Sequence, residues 1–117
     1  METNRSLSNF VTEHHAAGVV WVEAKLNSDQ LEEDQKPFLA SLQNALDDGS
    51  LSEAKLDRLA RGSKEYRDYV RSMVLARAET LRKKVRYEAL GNYYEAKRSE
   101  ASLERSKIEK GIFHEGR

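Results

Sequence analysis

His14 and His15, beside Glu13, are the one local cluster in this chain with the makings of a metal site. Their spacing works against it. Adjacent residues on a helix point about 100° apart, whereas a helical zinc pair needs ligands at i and i+4. The third histidine, His114, lies in the tail. Asn44 to Lys55, NALDDGSLSEAK, has glycine at the sixth place of a calcium loop. Leu46 and Lys55 then fall at the third and twelfth places, where such a loop requires oxygen ligands. The sequence contains no glycine-rich phosphate loop and no nucleophile elbow. Its carboxylates are scattered, with none placed in an apolar pocket that would raise its pKa for acid–base work. The expectation is a non-enzymatic protein without metal or cofactor.

The stretch RKKVRYEALGNYYEAKRS, residues 82 to 99, carries more information. Arg77, Lys84, Arg98 and Arg105 follow one heptad line, and Arg82, Lys83, Arg86 and Lys97 thicken it. A basic stripe along a helix can track a phosphate backbone, and exposed tyrosine rings can stack on unpaired bases. These eight cations are the candidate nucleic-acid contacts. The same pattern supports a plainer reading, in which Tyr87 and Tyr94 lie in a buried seam and the cations pair with nearby glutamates. Glu79 and Lys83 have the i, i+4 spacing for such a pair. An acidic protein surface is a third possible partner. A DNA-reading helix–turn–helix around DDGS is disfavoured, because LSEAKLDRLAR lacks a reading face rich in Asn, Gln and Arg.

The elements that must position these residues read as all-α. One proline, Pro37, interrupts the chain. Leu7, Phe10, Val11, His14, Gly18, Trp21 and Val22 recur at helical spacing, which predicts a first helix from Ser6 to about Leu26, capped by Ser6 or Ser8. Val19, Val20 and Val22 would favour a strand over 18–26, but the helical period reaches back to Leu7. Residues 27–37 read as a polar turn, with room for a short helical piece after Ser28, and Pro37 falls in the first turn of a second helix ending near Leu46. DDGS at 47–50 is a turn, Ser50 to Glu53 spells a capping box, and Gly62 stops the third helix.

Ser63 then caps a long segment reaching about Lys110. Tyr66, Met73, Thr80, Tyr87, Tyr94, Ala101 and Ile108 fall at seven-residue intervals. A second row, Val70, Val74, Ala78, Leu81, Val85 and Ala89, keeps spacings of three and four. Sustained heptads imply a coiled-coil-like seam. The seam residues are Tyr66, Val70, Met73, Val74, Leu81, Val85, Tyr87, Leu90, Tyr94 and Ile108. Gly91-Asn92 can end a helix and open a helical hairpin, which is the alternative, but the heptad row crosses the pair without changing phase, so a continuous or bent helix is expected.

Bulk composition fits this reading. The 117 residues suggest one domain, with an acidic helical region over 1–62 and a basic long-helix region over 63–117. The first holds 6 Lys/Arg against 11 Asp/Glu, the second 14 against 9, and the net charge is zero. The two halves can attract one another within a subunit or between subunits. At 38% hydrophobic residues, narrow apolar stripes that complete their core by homo-oligomerisation are expected. The chain has no cysteine, no signal-peptide pattern and no apolar run long enough to span a membrane, so a cytoplasmic setting is expected.

SKEYRDYV, LARAETLRKKVRYEAL and YEAKRSEASLERSKI resemble the C-terminal part of small helical bacteriophage and prophage proteins. The likeness covers residues 63 to about 110. A fainter one, carried by Arg105 and Ile108, is to phage recombination-mediator proteins, which load a recombinase on single-stranded DNA. These resemblances imply a phage origin, host cytoplasm, and an accessory role in recombination or replication through single-stranded DNA. The alternatives are an inhibitor or adaptor docking on a host or phage protein, and a structural assembly protein.

Overall fold

The computed structural model describes residues 7–114, which form three α-helices and no strand. They are α1 (Leu7–Leu46), α2 (Glu53–Arg61) and α3 (Lys64–His114). Ser6, expected as a cap, lies outside the described residues, as does the side chain of His114. Ser8 lies inside α1, where its carbonyl accepts a hydrogen bond from the Thr12 hydroxyl.

The expectation of three shorter N-terminal helices is corrected at one place. Residues 27–37 are helical, so the first two segments are one helix of 40 residues with Pro37 inside it. Side chains one turn apart support the polar stretch: Lys25 bridges to Asp29 at 3.0 Å, and Gln30 donates to Asp34 at 3.1 Å. An interior proline leaves the carbonyl four residues back without its donor, at a cost of about 3 kcal/mol. That carbonyl belongs to Glu33, and Glu33 and Pro37 are both exposed, so water can serve it. Packing of the next turn offsets the rest: Phe38 stacks on Tyr69 at 4.4 Å, and Leu39 is buried.

The capping-box expectation is also corrected. Ser52, not Ser50, caps α2, accepting a hydrogen bond from the Lys55 amide at 3.2 Å. Ser50 is held in the preceding turn, where its hydroxyl and amide both donate to Asp48. The Ser50 hydroxyl, then its amide, hold the Asp48 carboxyl below its ordinary pKa. Gly49 has φ of 85°, the left-handed conformation that this turn requires of a glycine. Gly62 closes α2, its amide donating to the Arg58 carbonyl at 3.0 Å. Ser63 caps α3, as expected, accepting from the Tyr66 amide at 3.2 Å. α3 then runs 51 residues, straight through Gly91-Asn92.

The chain folds as two compact units. In the unit Val22–Arg82, α1 and α3 run antiparallel and α2 closes over them. Leu39, Ala60 and Tyr66 form the core, with Phe38, Leu42 and Val70 packed around it. Ala60 is completely buried, which lets α2 approach closely. Two tyrosines tie α3 to α1. The Tyr66 hydroxyl accepts from Gln35 at 2.9 Å, and the Tyr69 hydroxyl donates to the Leu31 carbonyl at 2.6 Å.

The other unit takes in the chain up to Trp21 and from Lys83 onward. Here α1 and α3 are again antiparallel, but the contact is aromatic. Phe10 meets Tyr93 edge-on at 5.0 Å, and His14 stacks on Tyr87 at 4.4 Å. Trp21 reaches the same Tyr87 ring at 5.2 Å. Two glycines make room. A Cβ at Gly18 would sit 2.9 Å from Tyr87 Cε1, and one at Gly91 would sit 2.9 Å from His14 Nε2.

Candidate functional site

In each unit, residues of α3 that are shielded from solvent follow alternating steps of three and four. Tyr66, Tyr69, Met73, Ala76 and Thr80 do so in the unit Val22–Arg82; Lys83, Tyr87, Leu90, Tyr94 and Lys97 do so in the other. All ten are buried or half-buried. Five of the expected seam residues, Tyr66, Met73, Tyr87, Leu90 and Tyr94, therefore pack within the chain itself. Val70 joins the Leu39 core.

The remaining members of the expected seam lie elsewhere. Val74, Leu81 and Val85 are 53%, 62% and 64% exposed. At about 100° per residue they fall on the side of α3 opposite the tyrosine row. Leu103, 58% exposed, continues their line. Ile108 belongs to the tyrosine row but is exposed. The long helix thus carries two apolar rows, one facing α1 and one facing outward.

The basic residues separate by what they touch. Arg77 Nε bonds Glu32 Oε1 across the helices at 2.6 Å, one contact that brings an acidic residue of α1 to a basic residue of α3. Lys84 lies with its ammonium 5.9 Å from the centre of the Trp21 ring. Arg82 pairs with Glu79 at 3.1 Å. Arg98 pairs with Glu95 at 3.4 Å and lies over Tyr94. Lys97 pairs with Glu100 at 3.3 Å and lies over Tyr93. Its hydrogen bond to Glu100, then the charge of that carboxylate, raises its pKa above the ordinary lysine value. Lys83 and Arg86 line a cleft of about 230 Å³ with Glu13, Ala16, Ala17 and Val20. Arg86 and Arg105 make no ion pair among the described residues.

Several of the tyrosine rings of α3 are engaged, whereas Tyr93 is 48% exposed. Tyr87 lies between His14 and Trp21, Tyr69 lies on Phe38, and Tyr66 is buried. Sequence reasoning missed Trp21 and His14 as partners of Tyr87. Phe10, His14, Ala17 and Trp21 keep the three-and-four step that would have matched the tyrosine row. Among the described residues no three His, Asp or Glu side chains gather as a metal ion needs, and no helix is long and apolar enough to cross a membrane. No protein-family model, characterised protein or solved structure matches this chain.

Proposed function

We propose that this chain works by binding rather than catalysis, as a self-associating helical accessory protein of the phage type that residues 63 to about 110 resemble. The outward row of α3 carries this reading. Val74, Leu81, Val85 and Leu103 are large apolar side chains on one side of one helix, each more than half exposed. Scattered single apolar residues need no explanation, but a periodic row of them marks a contact surface. Its copy-to-copy burial supplies the oligomer that the low apolar content calls for. Light scattering across a concentration series is expected to show a dimer or larger species. Leu81→Glu with Val85→Glu is expected to weaken association at least tenfold while helix content by circular dichroism is kept. A wild-type chain that stays monomeric at the highest concentration contradicts the reading.

Nucleic-acid contact is the second reading, and Lys83, Lys84 and Arg86 favour it. They place three cations within four residues, and Arg86 has no ion pair among the described residues. With Tyr66, Tyr69 and Tyr87 packed, phosphate contact would supply most of the affinity, and that affinity falls steeply with salt. Labelled single-stranded DNA is expected to shift at about 50 mM salt and to be released as salt rises. Arg86→Glu with Arg105→Glu should abolish the shift and leave the oligomer. A labelled strand that never shifts at low salt eliminates this reading.

A further inference from the structure

Within the basic cluster of α3, Arg82 pairs with Glu79, Lys84 lies over Trp21, and Lys83 is engaged in the chain. Arg86 differs. It makes no ion pair among the described residues, and the positions one turn away on its own helix are Arg82, Lys83, Ala89 and Leu90. Two of these repel its charge and none offsets it. Arg86 also lines the cleft of about 230 Å³ whose other walls are Lys83 and, from α1, Glu13, Ala16, Ala17 and Val20. All six residues belong to one compact unit. Ala17 is buried, while Ala16 and Val20 are exposed. Glu13, like Lys83, is engaged in the chain. The cleft thus pairs an apolar wall on α1 with one unanswered cation on α3.

From that pairing we infer that the cleft receives a segment of a partner protein, which presents a carboxylate to Arg86 and a neighbouring apolar side chain to Ala16, Ala17 and Val20. A carboxylate matches the fork of an arginine and leaves the adjoining carbon chain free to cover an apolar wall. A phosphate is surrounded by oxygens and has nothing to set against three apolar side chains, and a strand of them would carry further negative charge past Glu13. Sites that enclose a free small molecule begin at about 300 Å³, so this cleft suits a side chain held in place by a larger surface. The inference is independent of the outward row and competes with phosphate for the same Arg86.

The probe is the blocked dipeptide acetyl-Leu-Glu-amide, titrated into the full chain and followed by the methyl signals of Ala16, Ala17 and Val20 and the Arg86 Nε–H. These signals are expected to shift together. Acetyl-Leu-Gln-amide, which lacks the charge, and acetyl-Gly-Glu-amide, which lacks the apolar group, are each expected to bind weaker by about fivefold or more. Arg86→Gln should cause a similar loss, and so should Ala16→Leu, which fills the cleft without touching its charge. Both positions are exposed, and unchanged helix content by circular dichroism checks that each variant folds. No shift at about 20 mM peptide overturns the inference. So does equal binding of the glutamine peptide, or a response at Arg105 as large as that at Arg86. Inorganic phosphate moving the same signals at lower concentration than the peptide overturns it in favour of a nucleic-acid contact.

Discussion

The two compact units solve the same packing problem with different material. In both, residues of α1 and α3 approach at alternating steps of three and four. The unit Val22–Arg82 fills its interior with Leu39, Ala60, Tyr66 and Met73, and adds α2 as a third wall. The unit that starts at Lys83 in α3 has no third helix among its described residues, and it fills the space with the rings of Phe10, His14, Trp21, Tyr87 and Tyr93. Flat rings bury much area per residue, so two helices can hold together where the other unit uses three. The cost is geometric. A stacked ring needs a gap in the opposing helix, and Gly18 and Gly91 provide it.

That contrast can be broken from either side. The largest effect is expected at Leu39 in the three-helix core, where replacing a buried leucine by alanine removes contacts and leaves a cavity. Leu39→Ala should lower stability by about 2–4 kcal/mol. The midpoint of urea unfolding measures it, and a loss under 1 kcal/mol would mean that the core is not closed as described.

A smaller loss is expected from Gly18→Ala in the aromatic unit. Alanine is the better helix former by about 1 kcal/mol, so on propensity alone the substitution stabilises. The added methyl, however, meets a Tyr87 ring already held between His14 and Trp21. Overpacking of this kind costs about 1–3 kcal/mol, which outweighs the gain. Net destabilisation, with a changed near-ultraviolet signal from Trp21, is the expected outcome; a more stable Gly18→Ala protein would show that the ring has room to move.

The smallest effect is a pH dependence confined to the three-helix unit. Burial, and then the charge of Asp34, raise the Tyr69 hydroxyl above the ordinary tyrosine pKa. A raised pKa means that the folded state holds this proton more tightly than the unfolded chain. The associated stability is therefore complete below about pH 10, the unfolded value, and is lost as pH rises through the folded value. Alkaline titration followed by tyrosine absorbance should show one late-ionising group that disappears in Tyr69→Phe. The substitution should also flatten the fall in stability at high pH.

Much of this architecture is legible in the sequence. The all-α class, the Ser63 cap, the Gly62 stop and the passage of α3 through Gly91-Asn92 all follow from local chemistry and an unbroken heptad phase. The continuity of α1 does not. Residues 27–37 look like a turn because they are polar and end in proline, and only tertiary packing by Phe38 and Leu39 makes the helix worth its missing hydrogen bond. The second row of the seam misleads for a related reason. Val74, Leu81 and Val85 look like core by hydrophobicity, whereas the shielded row includes Thr80, Lys83 and Lys97, and Lys83 lies against Glu13, Ala16 and Ala17 of α1. Long lysine stems can lie along an apolar contact while their charged ends reach water, and composition alone does not reveal that. For the basic stripe, spacing placed the cations on one helix. It did not show that Arg77 would find Glu32 or that Lys84 would find Trp21 on another.

The paired glycines also settle a question of alignment. A row repeating every seven residues looks the same after a slip of two turns, so an apolar pattern by itself leaves two long helices free to choose among several registers. Gly18 opposite Tyr87 and His14 opposite Gly91 occur at one setting only. Sliding either helix by a heptad would present a side chain to each ring in place of a gap. Two absent methyl groups serve α1 and α3 as an index mark, and they fix which residue answers which along the aromatic contact.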